Sequence, residues 1–387
     1  MLVDSRLVAM SHDAGYEIAI MMDTMRLKGG SVAATKQSKA STTARPTLND
    51  VGRLAGVSAQ TVSRFLTGAS YVGAEAGERI QQAIDALGYR PNRLARGLQN
   101  GRSDMVGVLT AAPLNYGAAE TLAGLSAAAH AADVTLITGH LDVDDPQWSD
   151  AGRILERFLS MRVDGIVVSA RIEGLESLLQ QTVRNEVPVL AITGRPVPGT
   201  ANAGADSYAA GLLVMEHLLS LGHQRIAFLA GPRESTESQE RERAYFDAMA
   251  TAGGTVLPIM IGGGWTGAAG YEAGLRADFS AFTAVYAADD ELALGFSAAA
   301  RSRGLSAPGD FSLVGIDDMP QSRYFAPPLT TARMDFDALG RRAFGALREL
   351  IDSGGGDHVV VTPKLVIRES TSAPSSVSLS AAKQSTA

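Results

Sequence analysis

The sequence predicts an all-α front segment followed by an α/β body of two lobes with parallel sheets. Three observations carry that expectation. Helical periodicity is confined to a short stretch between residues 47 and 90; from Met105 onward short apolar runs alternate with Ala- and Leu-rich helical stretches; and the charge changes sign between the two regions. A β–α alternation is the pattern of parallel strands covered by helices on both faces, and here it supplies too many strands for one comfortable sheet.

The charge deserves resolution by segment. The 387 residues carry a net −7, which by itself points away from nucleic acid. Residues 1–25 hold one base and four acids, residues 26–104 hold 12 bases and five acids, and residues 105–387 hold 21 bases and 32 acids. A basic front on an acidic body suits a polyanionic partner. Much of that surplus sits in Arg26–Arg45; residues 46–104 alone carry seven bases against five acids, so the front segment depends on where its charges are placed. With 45 % apolar and 19 % charged residues the chain is not wholly disordered. The absence of cysteine excludes disulfide scaffolds, thiolate zinc sites and Cys nucleophiles, and fits a reducing compartment. No apolar run reaches the roughly 18 residues of a membrane helix. Ile18–Met22 is too short for the apolar core of a secretion signal, so a cytoplasmic location and no membrane partner are expected.

Residues 1–46 read as a disordered basic tail, rich in Ser, Thr, Ala and Lys from Lys28 to Arg45, with Met21, Met22 and Met25 as alternative starts. From Thr47, apolar Leu48, Val51, Leu54 and Ala55 recur at helical spacing until Gly56-Val57-Ser58 breaks the run. Ser58 is an N-cap for a second helix carrying Val62, Phe65 and Leu66, which Gly68 ends. A third helix runs from about Ala74 to Leu87 with Ile80, Ala83, Ile84 and Leu87 inward, stopped by Gly88. Residues 47–90 thus form one domain and 91–104 a linker. Beyond it, Val106–Thr110, Val134–Thr138, Gly165–Ser169, Val189–Thr193, Arg225–Ala230, Ala284–Ala287 and Ser312–Ile316 read as strands, and stretches such as Glu120–Ala132 and Ala209–Leu221 as helices. Residues 371–387 read as a polar, disordered tail without a heptad pattern.

Two short helices joined by a tight glycine-containing turn fit a helix-turn-helix, with a generic three-helix bundle as the alternative. The second helix shows Ala59, Gln60, Ser63 and Arg64 on the face opposite its apolar residues. Gln and Arg can hydrogen-bond base edges, and Ser and Thr suit phosphates.

The segment Thr47-Leu-Asn-Asp-Val-Gly-Arg-Leu-Ala-Gly-Val-Ser-Ala-Gln-Thr-Val-Ser-Arg-Phe-Leu-Thr-Gly68 resembles the DNA-binding headpiece of the lactose-repressor/galactose-repressor (LacI/GalR) family of bacterial transcription regulators. Gly88-Tyr-Arg-Pro-Asn-Arg-Leu-Ala-Arg-Gly-Leu98 resembles that family's hinge helix. The resemblance implies that Ala59, Gln60 and Arg64 read major-groove bases, that Thr61 and Ser63 lie near the backbone, and that Thr47, Ser58, Asn92, Arg93 and Ala95 belong to the same DNA-binding set. It also implies that Leu98 wedges into the minor groove, where unstacking a base step bends the duplex.

The body extends the resemblance over nearly all of residues 47–370 and implies a periplasmic-binding-protein-like body around a ligand cleft. Lobe one would comprise about 105–203 and 335–362, and lobe two about 204–334 and 363–370. Matching motifs follow in order: Leu221–Pro232, then Arg241, Trp265 before Tyr271, Ala288–Gly295 with Asp289, Val314–Asp318 with Asp317, and Pro327–Thr331 followed by Met334 and Phe336. A sugar offers donor–acceptor hydroxyls over an apolar ring face. Arg241 could donate to it, Asp289 and Asp317 accept from it, and Trp265 or Phe336 stack on it, with Asn115, Tyr116 and Thr193 completing the expected effector set. There are departures from the family pattern. Thr193-Gly194-Arg195 stands where many relatives carry Asp, Ala244 replaces a common glycine, and Ala59 offers only a methyl contact.

The function these readings imply is a sequence-specific DNA-binding regulator, a repressor of carbohydrate-utilisation genes. It would act as a homodimer on a pseudo-palindromic double-stranded DNA operator and answer to a small sugar-like effector. A transport-type solute-binding protein and a regulator answering to a nucleobase corepressor are the alternatives. Catalysis is not expected, nor is a metal or cofactor: the six histidines form no metal or triad pattern, and there is no Gly-x-x-x-x-Gly-Lys phosphate loop.

Overall fold

The computed structural model describes residues 46–68, 71–90, 101–112, 114–142, 150–169, 174–183, 186–355 and 358–374. The chain divides into two compact units, the first ending at Pro91 and the second beginning at Asn92.

The first unit is built from α1 (Leu48–Ala55), α2 (Ala59–Thr67) and α3 (Ala74–Leu87). A capping box opens α1: the Thr47 hydroxyl accepts from the Asp50 backbone, and the Asp50 carboxylate accepts from the Thr47 backbone amide at 3.0 Å. Gly56 closes α1 in the left-handed conformation at φ 68°, and Ser58 caps α2 by accepting from Thr61 N at 3.2 Å. The turn is tight enough that a Cβ on Gly52 would lie 2.8 Å from the Val57 carbonyl oxygen. Val51, Ala55, Val62, Ile80, Ala83 and Tyr89 form a small core of their own. Fully burying a side chain such as Val62 or Ile80 contributes about 1.5–3 kcal/mol, which is how so short a unit closes. The expected hinge residues 91–100, with Asn92, Arg93, Ala95 and Leu98, lie outside the described residues.

The described part of the second unit opens with residues 101–104, where the Asp164 carboxylate accepts from the Ser103 and Asp104 amides at 2.7 and 2.8 Å. The body holds two six-stranded sheets. The first contains β1 (Met105–Ala112), β2 (Thr135–Asp142), β3 (Gly165–Ser169), β4 (Val189–Ile192), β5 (Ala201–Ala205) and β11 (Val359–Val361), in the order β11-β5-β4-β3-β1-β2 and entirely parallel. The second contains β6 (Ile226–Ala230), β7 (Met260–Ile261), β8 (Ala284–Ala287), β9 (Ser312–Asp317), β10 (Thr330–Arg333) and β12 (Lys364–Val366), in the order β12-β10-β9-β8-β6-β7, parallel except for β12. The chain passes between the sheets after β5, after β10 and after β11, so one lobe cannot move without flexing three connections.

Helices α4 (Tyr116–Ala131), α5 (Ala151–Ser160), α6 (Leu175–Thr182) and α11 (Phe336–Ser353) cover the first sheet; α7 (Ser207–Ser220), α8 (Thr236–Ala252), α9 (Gly267–Arg276) and α10 (Asp290–Ser302) cover the second. α4 and α11 approach to backbone contact, because a Cβ on Gly124 would stand 2.2 Å from the Asp337 carbonyl oxygen and one on Gly340 2.0 Å from that of Thr121. Separate apolar cores back each sheet.

Two differences from the sequence reading have physical reasons. β5, β7, β10, β11 and β12 were not among the predicted strands. They are short or built of small residues such as Ala-Asn-Ala-Gly-Ala, and their pairing is decided by the neighbouring strand and not by apolar pattern. The polar tail was expected from Thr371, yet Thr371 and Ser372 are bound into lobe two. The Thr371 hydroxyl meets His217 Nε2 at 3.0 Å, and the Ser372 carbonyl accepts from buried His223 Nε2 at 2.9 Å. Ser and Thr read as polar composition while serving as hydrogen-bond partners for two histidines whose pKa burial lowers.

Candidate DNA-reading face and effector cleft

In the first unit, Val62 points into the core, while Gln60 and Arg64, four residues apart, are exposed on one face of α2 with half-buried Ala59, Thr61 and Ser63 beside them. Thr47 and Ser58 are exposed at the helix starts, and both are engaged in capping. The two donors able to read base edges therefore share a face free of apolar bulk, on a helix fixed at its N-terminus by a cap.

The second site forms where strands of the second sheet end. Arg241, on the inner face of α8, is buried; its Nη1 donates to the Ala288 carbonyl at 2.6 Å and its Nη2 to Asp317 Oδ1 at 3.4 Å. Its Nε is buried without a hydrogen-bond partner among the described residues. The guanidinium lies 5.4 Å from the Trp265 ring centroid. Trp265 itself fits because Gly231 has no side chain: a Cβ there would be 2.5 Å from the indole. Asp289 caps α10 through Leu292 N at 2.7 Å and is buried; Asp317 ends β9 with φ 117°, a strained backbone for a non-glycine residue.

Burial pushes Asp289 up to about 6 and Asp317 well above the usual carboxylate range, while Arg241 pulls both back towards the charged form. An apolar surround with a single guanidinium explains this, since two carboxylates cannot both be fully compensated by one cation.

Lobe one contributes Tyr116 and Phe336, whose rings meet edge to face at 6.1 Å. Burial, and then the negative charges of Glu120, Asp317, Asp318 and Asp290, push the Tyr116 phenol up to about 12. The phenol of lobe one and these acids of lobe two therefore lie close enough to act on one another. Asn115 is exposed and caps α4 through Ala118 N at 2.9 Å. The Thr193 hydroxyl donates to the Arg195 carbonyl within its own loop. Both sit at the carboxyl ends of lobe-one strands, the position at which open α/β sheets bind ligands. Among the described residues no cluster of His, Asp and Glu has metal-binding geometry, and no helix is long and apolar enough to cross a membrane.

The sequence reading missed three supports. Asp290 is fully buried beside Asp289 and accepts from Thr331 Oγ1 and Ser322 Oγ, both at 2.6 Å, and from Met319 N at 3.0 Å, tying down the loop that carries Asp317. Burial pushes it up to about 7 against the pull of those donors. Asp318 is clamped by Arg333 and Arg368. Tyr286 lies behind Arg241 with its phenol pushed up by complete burial. Adjacent Asp-Asp pairs were the available signal, but nothing local says which of two neighbours faces a cleft. Ala244, the departure from the family glycine, is accommodated because its Cβ faces Gly211 on α7.

Comparison with known proteins places these features. Residues 47–92 match the model for bacterial regulatory proteins of the lacI family, and residues 215–371 match a periplasmic binding protein-like domain. The chain is 31 % identical over 336 residues to the HTH-type transcriptional repressor PurR of Vibrio vulnificus, covering 84 % of this chain and 98 % of that one. It is 29 % identical over 335 residues to the lactose operon repressor of Escherichia coli K12, covering 85 % of this chain and 91 % of that one. The crystal structure of the Lac repressor dimer bound to operator and the anti-inducer ONPF superposes with a TM-score of 0.78 at 28 % identity, over 85 % of this chain and 100 % of that one. With a capped helix-turn-helix unit, a two-sheet body and relatives matched over nearly their whole length, the chain belongs to the LacI family of bacterial regulatory proteins.

Proposed function

We propose that the chain is a sequence-specific DNA-binding repressor, controlled by a small sugar-like effector held between the two lobes of its body. The observation that carries this reading is the presence in one chain of two separate, complete devices. Gln60 and Arg64 stand exposed on a capped second helix, and Arg241, Asp289, Asp317 and Trp265 converge in a cleft that holds donors, acceptors and an aromatic face. Neither device has a use for the other unless occupancy of one alters the other, and such coupling is reciprocal in free energy.

A two-fold dimer would present two α2 helices to successive major grooves, so the operator is expected to be a pseudo-palindrome. In that reading the protein acts in the cytoplasm, on the nucleoid when bound, and catalyses no reaction. Carbohydrate-utilisation genes are the expected targets.

A mobility-shift assay on fragments upstream of its own operon tests the reading. Specific binding that weakens steeply with salt is expected; no specific binding to any such fragment would overturn it. A thermal-shift screen against sugars, polyols and purines then identifies the effector, because a ligand of the folded state raises its melting temperature by mass action. A response confined to purines would replace the sugar by a nucleobase.

A further inference from the structure

The loop after β4 makes a contact that the two devices above do not require. A Cβ on Gly194 would stand 2.8 Å from Thr236 Oγ1 and 3.3 Å from Glu237 N, so the lobe-one loop rests on the first turn of the lobe-two helix α8. Next to it, Arg195 Nε reaches across to Glu240 Oε1 at 2.8 Å. Glu240 is nearly buried although it is charged, and its second oxygen accepts from Arg243 Nε at 3.0 Å. The Arg243 guanidinium lies 3.7 Å from the centroid of the Tyr208 ring, and the Tyr208 hydroxyl donates to Asp247 at 2.9 Å.

The line of contacts therefore starts on a lobe-one loop and crosses α8. It ends on the first turn of α7, directly after Asp206, where the chain passes from one sheet to the other. Glu240 is also the chain neighbour of Arg241. Thr236 and Glu240 stand one turn apart on one face of α8, with Arg241 about a quarter-turn round the helix; Thr236 Oγ1 and Arg241 Nε are both buried without a hydrogen-bond partner among the described residues. Glu240 thus stands beside the buried Arg241 in the chain, and a separation of the lobes at this seam would break or lengthen the Arg195–Glu240 pair.

We propose that Arg195 is a positioning residue. Through Glu240 it clamps the β4 loop to α8, sets the angle between the lobes, and thereby sets how far Arg241 stands from the lobe-one wall of the cleft. This goes beyond the functional reading above and needs neither DNA nor effector. The pair is half-exposed at Arg195, so its strength is that of a partly solvated ion pair, equivalent to roughly a two- to five-fold shift in a lobe equilibrium, and it is screened by salt.

The cysteine-free chain provides the assay. In the full-length protein carrying Gly194→Cys and Thr236→Cys, the new Cβ at 194 would lie 3.2 Å from the Cβ at 236, a few tenths of an ångström under the roughly 3.5–4.5 Å of a disulfide, so a small outward shift of the loop lets the bond form. Intramolecular cross-linking is followed on non-reducing gels. Adding Arg195→Ala should slow it roughly two- to five-fold, and Arg195→Lys should restore most of the rate. High salt should slow the Arg195 protein towards the Arg195→Ala rate and leave the latter unchanged. Equal rates with and without Arg195, or the same salt response in both, would overturn the clamp. A second measurement avoids the engineered cysteines: thermal unfolding of Arg195→Ala, Glu240→Gln and the double variant should show non-additive losses, and strict additivity would overturn it too. Failure of either test leaves operator binding untouched, and failure of operator binding leaves the clamp untouched.

Discussion

Replacing Arg241 by methionine keeps most of the buried volume and removes the only buried arginine or lysine among the described residues. Asp317 and Asp289 then face each other in an apolar cleft with no cation, and the Ala288 carbonyl loses a donor now at 2.6 Å. Breaking a buried ion pair by deleting one partner costs about 3–5 kcal/mol when the remaining charge cannot escape. Here it can escape by taking up a proton. Burial pushes Asp289 up to about 6 in the folded protein, against an ordinary value of 3.8. A carboxyl raised on folding binds more protons in the native state, so its favourable contribution is complete below about 3.8 and is lost as pH rises through about 6. Between pH 8 and pH 5 such a group gains on the order of 1 kcal/mol. Removing Arg241 takes away an influence that lowers both carboxyls, and each further unit of upward shift narrows the variant's deficit at pH 5 by about another 1.4 kcal/mol. Arg241→Met should therefore be several kcal/mol less stable than the parent at pH 8 and much closer to it at pH 5, as read by urea denaturation followed by circular dichroism. A deficit of the same size at both pH values would show that the carboxyls do not answer to Arg241, and the electrostatic account of the cleft would fail.

Other outcomes follow from the same geometry. Once an effector is in hand, an Arg241→Lys protein should still bind operator but lose most of its effector response, because a compact ammonium lacks the planar fork whose two ends reach Ala288 and Asp317; mobility shifts with and without effector would show it. Gln60→Ala should cost about 1–3 kcal/mol of discrimination for operator over random DNA while leaving non-specific binding nearly unchanged, as measured by competition titration. Gly124→Ala forces a methyl to within 2.2 Å of the Asp337 carbonyl oxygen and should lower stability by about 1–3 kcal/mol through overpacking between α4 and α11, seen as a fall in the urea midpoint. Leu98→Ala, outside the described residues, should weaken specific binding far more than non-specific binding if the resemblance to a hinge wedge holds.

Much of the molecule was legible in the residues themselves. Capping residues, glycine stops and the 3.6 period located α1, α2 and α3 to within a residue or two, because those signals are local: Thr47 and Ser58 bond the backbone three residues away. Apolar runs located the central strands, since a strand covered on both faces must be apolar throughout. The edge strands escaped, as their residues are set by what lies beside them. The site was legible in part. Arg241, Asp289 and Asp317 were named from the resemblance of their motifs to the family, and the structure brings all three together around Ala288. Asp290 and the Arg195–Glu240 pair were not identified. One stands next to Asp289 but faces the Ser322 loop, and the other joins positions 45 residues apart on different lobes.

The sequence by itself determined the order of elements, the sign of the charge on each part and the chemical types available to the cleft, for these depend on residues close together along the chain. Tertiary structure alone decided which carboxylates are buried, which arginine they share and where the two lobes touch. Burial and pairing depend on distances through space, and in this chain those distances are set by three crossings between two sheets.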